Sequence, residues 1–324
     1  MMKKVSIIAC MMLFVMTAQA QHKVTSFFDE LGTARIRTEE FSPAHDTIVM
    51  IDHRIDDVIW SRYIYRIIDV RYKQNHQLYF PQTYDDPDYR NLFKVITDAV
   101  IDGMPIYEKK SGTIKPEFRS ADKEILPPVE RRLIPALFME GNPDDIAMMA
   151  SEDSTVLDPA TSSSMAIHYN SEEDKLEFFF YPFEALVKNQ LKFLIQEVTF
   201  FDKHTSRMHT KIMAIAPLYS ERITLRDSSD IMESLNQSIM FWIPFDGLRP
   251  YLAMQYMIPS RNETRRVTYD EFFQKRLFHS YIVGEGNIRN RWIPDYEGDP
   301  ERIKREQERI ENELLNFEQD LWEY

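Results

Sequence analysis

Three kinds of pattern run along the chain. In the first, apolar residues return every three to four positions, the period of a helix with one buried face. Asp56-Asp57 followed by Trp60, Ile64, Ile67 and Ile68 predicts a capped helix reaching about Tyr72. Asp86 as N-cap and Pro87 at the first helical position, then Leu92, Phe93, Ile96, Ala99 and Val100 before Gly103, predict a second. Thr268-Tyr269-Asp270-Glu271 is a capping box, and Phe272, Phe273, Leu277 and Tyr281 carry its stripe to a stop at Gly284. At the C-terminus Asp299 caps and Pro300 opens a helix. Ile303, Ile310, Leu314, Phe317 and Leu321 follow in heptad spacing among Glu, Arg, Lys and Gln.

In the second pattern the apolar runs are continuous, β-branched and aromatic. Residues 192–201 and 208–216 are two such runs, and the polar segment 202–207 between them predicts a hairpin. A third run, 238–243, precedes Pro244, after which Asp246 is placed to cap a short helix through Tyr256. The third pattern has no period. Residues 21–56 mix polar positions with the short apolar pieces 24–28 and 48–51, as an extended arm would. Residues 140–185 hold eleven acids against one base, Lys175, and the stretch 151–165 offers little that packs. That composition reads as a solvated linker or insertion, or as an acidic docking strip for a basic partner. No repeat with a period of 20–50 residues is present.

The class these elements define is α+β, with an N-terminal arm and helices, a β-hairpin-containing core and a C-terminal amphipathic helix. Its parts are a signal segment at 1–20, the arm at 21–56, a helical part at 57–139, an acidic linker at 140–176, an α+β part at 177–298, and the last helix at 299–324.

Charge and composition narrow the function. Lys3 and Lys4, the apolar run 5–16 and Ala18-Gln19-Ala20 make a secretory signal with an A-x-A cleavage site. A lipoprotein box at Ile7-Ile8-Ala9-Cys10 would leave too short an apolar region before the cysteine. Cleavage after Ala20 removes Cys10, the only cysteine, so disulfide and thiolate chemistry are excluded from the exported chain. It leaves 37 Lys+Arg against 52 Asp+Glu, a net charge of −15. Such a body repels phosphate backbones and anionic lipid, so neither nucleic acid nor direct membrane insertion is expected. After the signal, no stretch of 18 consecutive apolar residues follows. The eight glycines, at 32, 103, 112, 141, 247, 284, 286 and 298, spell neither a dinucleotide fingerprint nor a P-loop.

Catalytic signatures are missing as well. His204 and His209 flank the hairpin loop beside Asp202, but there is no HExxH motif and no Cys/His cluster. They read as solvated loop histidines, and no metal is expected. Asp52-His53 and Asp56-Asp57 resemble pieces of an acid/base constellation without a nucleophile; Asp56-Asp57 serves more economically as a helix cap. A GxSxG elbow is absent. With 52 acids, carboxylate pairs suited to glycoside hydrolysis carry no specificity. Aromatics in polar surroundings, among them Tyr79, Phe80, Tyr84, Tyr89, Tyr107, Trp322 and Tyr324, suit a protein interface or a sugar equally. The C-terminal stripe must be covered, either by this chain's own core or by a partner. The candidate interface is Ile303, Ile310, Leu314, Phe317, Leu321, Trp322 and Tyr324. No catalytic, cofactor-binding or metal-binding residue is assigned.

Several segments in order resemble one family. They are Trp60-Ser61, Tyr65-Arg66-Ile67-Ile68-Asp69, Lys73-Gln74-Asn75, Tyr79-Phe80-Pro81, Phe200-Phe201-Asp202-Lys203, Ile215-Ala216-Pro217-Leu218-Tyr219, Leu248-Arg249-Pro250-Tyr251 and the closing run 314–324. Across residues 55–324 the chain resembles the GldN/PorN family of gliding-motility and type IX secretion proteins. The resemblance implies a non-enzymatic periplasmic subunit without cofactor, peripheral to the inner face of the outer membrane. It also implies a ring built by self-association with an outer-membrane lipoprotein of the GldK/PorK type. A further contact would be the periplasmic part of the GldM/PorM motor component. Two other classes stay open on residues alone: a periplasmic carbohydrate-processing enzyme using a carboxylate pair, and a peptide- or glycan-binding module. A deep cleft with two facing carboxylates would mark the enzyme.

Overall fold

The computed structural model describes residues 47–51, 53–81, 89–107, 129–138, 167–170, 173–178, 192–226, 231–258, 267–286 and 292–322. The signal segment, most of the arm and most of the acidic stretch lie outside them.

The first correction falls on residues 58–69, which form a strand, β1 (Val58–Asp69), where the spacing predicts a helix. Val58, Ile59, Trp60, Tyr63, Ile64, Tyr65, Ile67 and Ile68 are β-branched or aromatic. Such side chains lose rotamer freedom in a helix and pack well on a pleat. Ile64 and Ile68 point to one face and Tyr65 and Ile67 to the other, and all four are buried. A strand covered on both sides shows no clean alternation to read.

Within the acidic stretch β2 (Ile167–Asn170) and β3 (Lys175–Phe178) pair as a separate two-stranded sheet. Its Leu176 is buried in the main core, so the stretch is anchored at β3 rather than solvated there. The predicted hairpin is present as β4 (Lys192–Asp202) and β5 (Arg207–Arg226), in register from Lys192↔Leu218 to Asp202↔Arg207. β6 (Ile231–Ile239), β7 (Ile243–Pro244) and β8 (Tyr281–Glu285) complete the main sheet, in the order β6-β5-β4-β1-β8 with β7 also on β5. All its pairings are antiparallel. Beyond Leu218, among the described residues, β5 pairs with β6.

The Asp86-Pro87 start lies outside the described residues, within which helix α1 runs from Leu92 to Ile101. Asn91 is its cap, its side chain accepting the Lys94 N–H at 2.8 Å. Gly103 closes it as expected: its φ of +97° lets Gly103 N–H reach Val100 O and Met104 N–H reach Ala99 O. After α2 (Ile134–Leu137) comes α3 (Phe245–Met254), with Pro244 rather than Asp246 at the cap position; Asp246 instead pairs with Lys211. The capping box opens α4 (Tyr269–Gln274), with the Thr268 hydroxyl accepting Glu271 N–H. That helix ends well before Gly284, because Arg276 takes a φ of +52° and turns the chain into β8, which pairs with β1. α5 (Ile293–Tyr296) and α6 (Pro300–Trp322) follow, and α6 begins at the proline that the sequence marks.

Helices α1, α3 and α4 cover one face of the sheet, where Ile68, Phe193, Ile195 and Ile215 meet Phe93, Ile96, Leu248 and Phe273. On the other face Tyr65, Ile67, Leu194, Ala214 and Ala216 meet Trp242 and Tyr107, which are bridged by two backbone hydrogen bonds. The arm is tied to the helical side. Asp270 accepts hydrogen bonds from Arg249 Nε and from Ile48 N–H, both at 2.8 Å, and Arg249 Nη2 also donates to Ile48 O.

At the centre of the sheet, on β4, Glu197 is 1% exposed. Arg276 reaches it with two hydrogen bonds, at 2.8 and 3.1 Å, and Arg66 Nε lies 3.3 Å from its Oε2. A buried carboxylate is tolerated only when paired in this way. We predict that Glu197→Ala, which leaves Arg66 without its buried partner, lowers unfolding free energy by roughly 3–5 kcal/mol. Arg276→Ala, at a more exposed position, should cost less. Urea denaturation of both variants measures this.

Candidate functional site

The C-terminal helix is the element the sequence singles out, and its stripe has a cover inside the chain. Ile310, fully buried, joins Ile64 of β1, Ile282 of β8 and Ile293 of α5, with Ile303 and Leu314 packed against them. Phe317 lies against Trp60, ring centroids 4.5 Å apart. Of the seven candidate interface residues these four therefore face the protein's own sheet. The side chains of Leu321 and Trp322, and all of Tyr324, lie outside the described residues.

Polar contacts fix the seam in register. Gln307 donates to Ile282 O at 2.7 Å, so the helix supplies a partner for the sheet's β8 edge. Arg62 reaches Glu313 at 3.1 Å and Glu285 at 3.2 Å, and Arg66 links Glu311 to the buried Glu197. The Arg309 guanidinium holds the Glu306 carboxyl below its usual range, and the hydrogen bond from Arg62 does the same for Glu313, each against some desolvation. Burial and the neighbouring Glu306 push the Tyr296 hydroxyl up to about 12.

A second group forms where the arm meets the hairpin. His53 Nδ1 is 2.7 Å from Asp202 Oδ2, and the His53 and His209 rings are 4.4 Å apart. Asp202 Oδ1 accepts His204 N–H, and Thr205 Oγ1 is 2.9 Å from His209 Nε2. Burial opposes ionisation of Asp202, but the hydrogen bonds from His53 and the loop N–H groups outweigh it and lower its pKa. Burial, and then the nearby His53, lower that of His209. The histidine that sequence pairs with His209, His204, is exposed and contributes only its backbone. His53, noted in Asp52-His53, is its actual neighbour, from 156 positions away in the chain.

A third feature is a cavity of about 540 Å³ beside the end of α1. Among the described residues that line it, Asp102 is the carboxylate, with Arg131 and Lys175 as the charged companions. Those described residues supply no pair of facing carboxylates of the kind glycoside chemistry uses.

Taken together, the fold and these groups define an α+β protein held by internal ion pairs, with no helix among the described residues long and apolar enough to cross a membrane. The family model described as gliding motility associated protein GldN matches residues 53–323, and the chain belongs to that family. It is thus a component of the gliding-motility and type IX secretion apparatus, in a family not known for enzymes. No curated protein matches the chain.

The seam generates two predictions. Ile310→Ala should cost roughly 2–5 kcal/mol, measured by thermal or urea unfolding. A carboxyl with a depressed folded pKa stabilises fully above its unfolded pKa, about 4.3 for Glu, and that contribution disappears as pH falls through the folded value. Glu306 and Glu313 are of this kind, so amide-exchange protection within α6 should be complete at neutral pH and fall first, before the sheet, below about pH 4.

Proposed function

We propose that the protein is a non-enzymatic structural subunit of the type IX secretion machinery, working in the periplasm at the inner face of the outer membrane. It self-associates in a ring with an outer-membrane lipoprotein of the GldK/PorK type and contacts the periplasmic part of the GldM/PorM motor component. The observation that carries this reading is family membership over residues 53–323. The secretory signal at 1–20 supports the compartment.

A ring needs two different faces on each subunit, and a stable contact buries at least about 1,000 Å². With the inner stripe of α6 occupied, the exposed apolar positions flanking it and the arm become the contact surface. Val49 and Ile51 are exposed beside the clamped Ile48, Ile59 is exposed on β1, and Leu315 is exposed on the outer side of α6. Leu321, Trp322 and Tyr324, whose side chains lie outside the described residues, are further candidates for that contact.

Affinity purification from detergent-solubilised envelopes tests the proposal. An outer-membrane lipoprotein should co-elute in near-equal amount; a chain recovered alone from intact envelopes would overturn it. Val49→Asp with Ile51→Asp should leave the unfolding midpoint nearly unchanged, since exposed positions contribute within about 0.5 kcal/mol, yet reduce partner recovery several-fold. Leu314→Asp with Phe317→Asp should lose partner and helix together.

A further inference from the structure

His53, Asp202 and His209 come from three places: the chain entering β1, the last residue of β4, and β5 just past the turn. One ligand-capable atom from each lies within 4.8 Å of the others. His53 and Asp202 are buried and His209 is half-buried. Phe200 forms an apolar wall, with its ring centroid 4.9 Å from that of His53 and 5.7 Å from that of His209. Below it lie Val198 and Met213.

We propose that these three side chains form a binding site for a zinc-type divalent transition-metal ion. Two imidazoles and a carboxylate are a known zinc donor set, leaving a fourth tetrahedral position for water. Bonds of about 2.0–2.1 Å place tetrahedral ligand atoms about 3.3 Å apart. To receive the ion, the 2.7 Å His53–Asp202 hydrogen bond gives up its proton and opens to that spacing, while the His209 ring closes in by side-chain rotation from within 4.8 Å. The outer contacts suit the task. Asp202 Oδ1 is held by the His204 N–H at 2.8 Å, and Thr205 Oγ1 steadies the His209 ring. Partners of this sort orient metal ligands before the ion arrives. Imidazole with carboxylate favours zinc or its first-row neighbours over calcium or magnesium, which prefer all-oxygen shells.

The ion would act as a staple. No cysteine follows Cys10, so no disulfide can join the chain before β1 to the β4–β5 turn. Ties there include the His53–Asp202 hydrogen bond, the Lys203 N–H bond to Asp57 O at 2.8 Å, and the Lys203 ammonium on Asp56 O. A metal bound by His53 on one side and by Asp202 and His209 on the other would lock this junction, stabilising the folded chain by mass action.

The test uses the signal-less full chain, stripped with EDTA and titrated with ZnCl₂ by calorimetry. Expected are one saturable equivalent and a Tm rise of roughly 5 °C or more at a hundredfold excess over Kd. CoCl₂ in place of zinc should give the visible absorption of a tetrahedral site. His209→Ala should weaken zinc binding at least tenfold and abolish the cobalt spectrum, while His204→Ala, five residues earlier in the same hairpin turn, leaves both intact. Asp202→Asn is the more severe variant; if it fails to fold, His209→Gln gives the same reading at a half-buried position. Absence of saturable binding, or equal binding by His209→Ala and the unsubstituted chain, overturns the site, whatever the outcome of the envelope purification.

Discussion

Glu197 sits where three parts of the protein meet, and its charge has no route to water. On β4, in the middle of the sheet, it is paired by Arg66 from β1 and by Arg276 from the turn after α4. Arg66 continues to Glu311 on α6. The strand pair, the helical layer and the C-terminal helix therefore share one electrostatic junction. A lone carboxylate buried at this point would be strongly unfavourable, so the sheet, the turn and the last helix must be positioned together. Apolar packing on either side of the sheet supplies most of the favourable energy, but it is non-directional. The Glu197 group adds direction, requiring Arg66 and Arg276 to arrive at particular angles.

Elements whose signals are local were legible. The T-x-x-E box at 268–271, the Asp299-Pro300 start and the Gly103 stop all appear where the sequence puts them, because caps satisfy backbone groups within one turn of themselves. The hairpin 192–216 was legible for the same reason, with its polar turn between two apolar runs. The failures have a common cause in tertiary context. Residues 58–69 carry a spacing that fits a helix, and only the partners on both sides, β4 and β8, make them a strand. Tyr281–Glu285 was drawn into the preceding helix because the residue that ends it is Arg276 in a left-handed conformation, a place where glycine is the expected signal. Leu176 gave no hint, in an acidic context, that it reaches the core.

The candidate sites divide the same way. Spacing alone identified the stripe Ile303, Ile310, Leu314 and Phe317 as a surface needing cover, but not that β1, β8 and α5 provide it. Asp202 and His209 were visible as neighbours across a turn, while His53 joins them through a strand register of long sequence separation. Nothing in a single sequence links those positions. The side chains that hold the group in place, the Thr205 hydroxyl and the ring of Phe200, are unremarkable residues until the fold puts them there.

The order of the strands has a bearing on how the molecule is finished. β1 is the earliest strand among the described residues yet an interior one, hydrogen-bonded to segments that begin 123 and 212 residues beyond its own Asp69 and roofed by a helix ending at residue 322. During synthesis or passage through a channel, the first strand therefore waits, with Ile64 and Trp60 uncovered, until almost the whole polypeptide has emerged. Completion is all-or-none in time as well as in space: a chain stalled before its closing helix presents the same greasy strand that a finished one hides, a mark by which quality-control factors can tell the two apart.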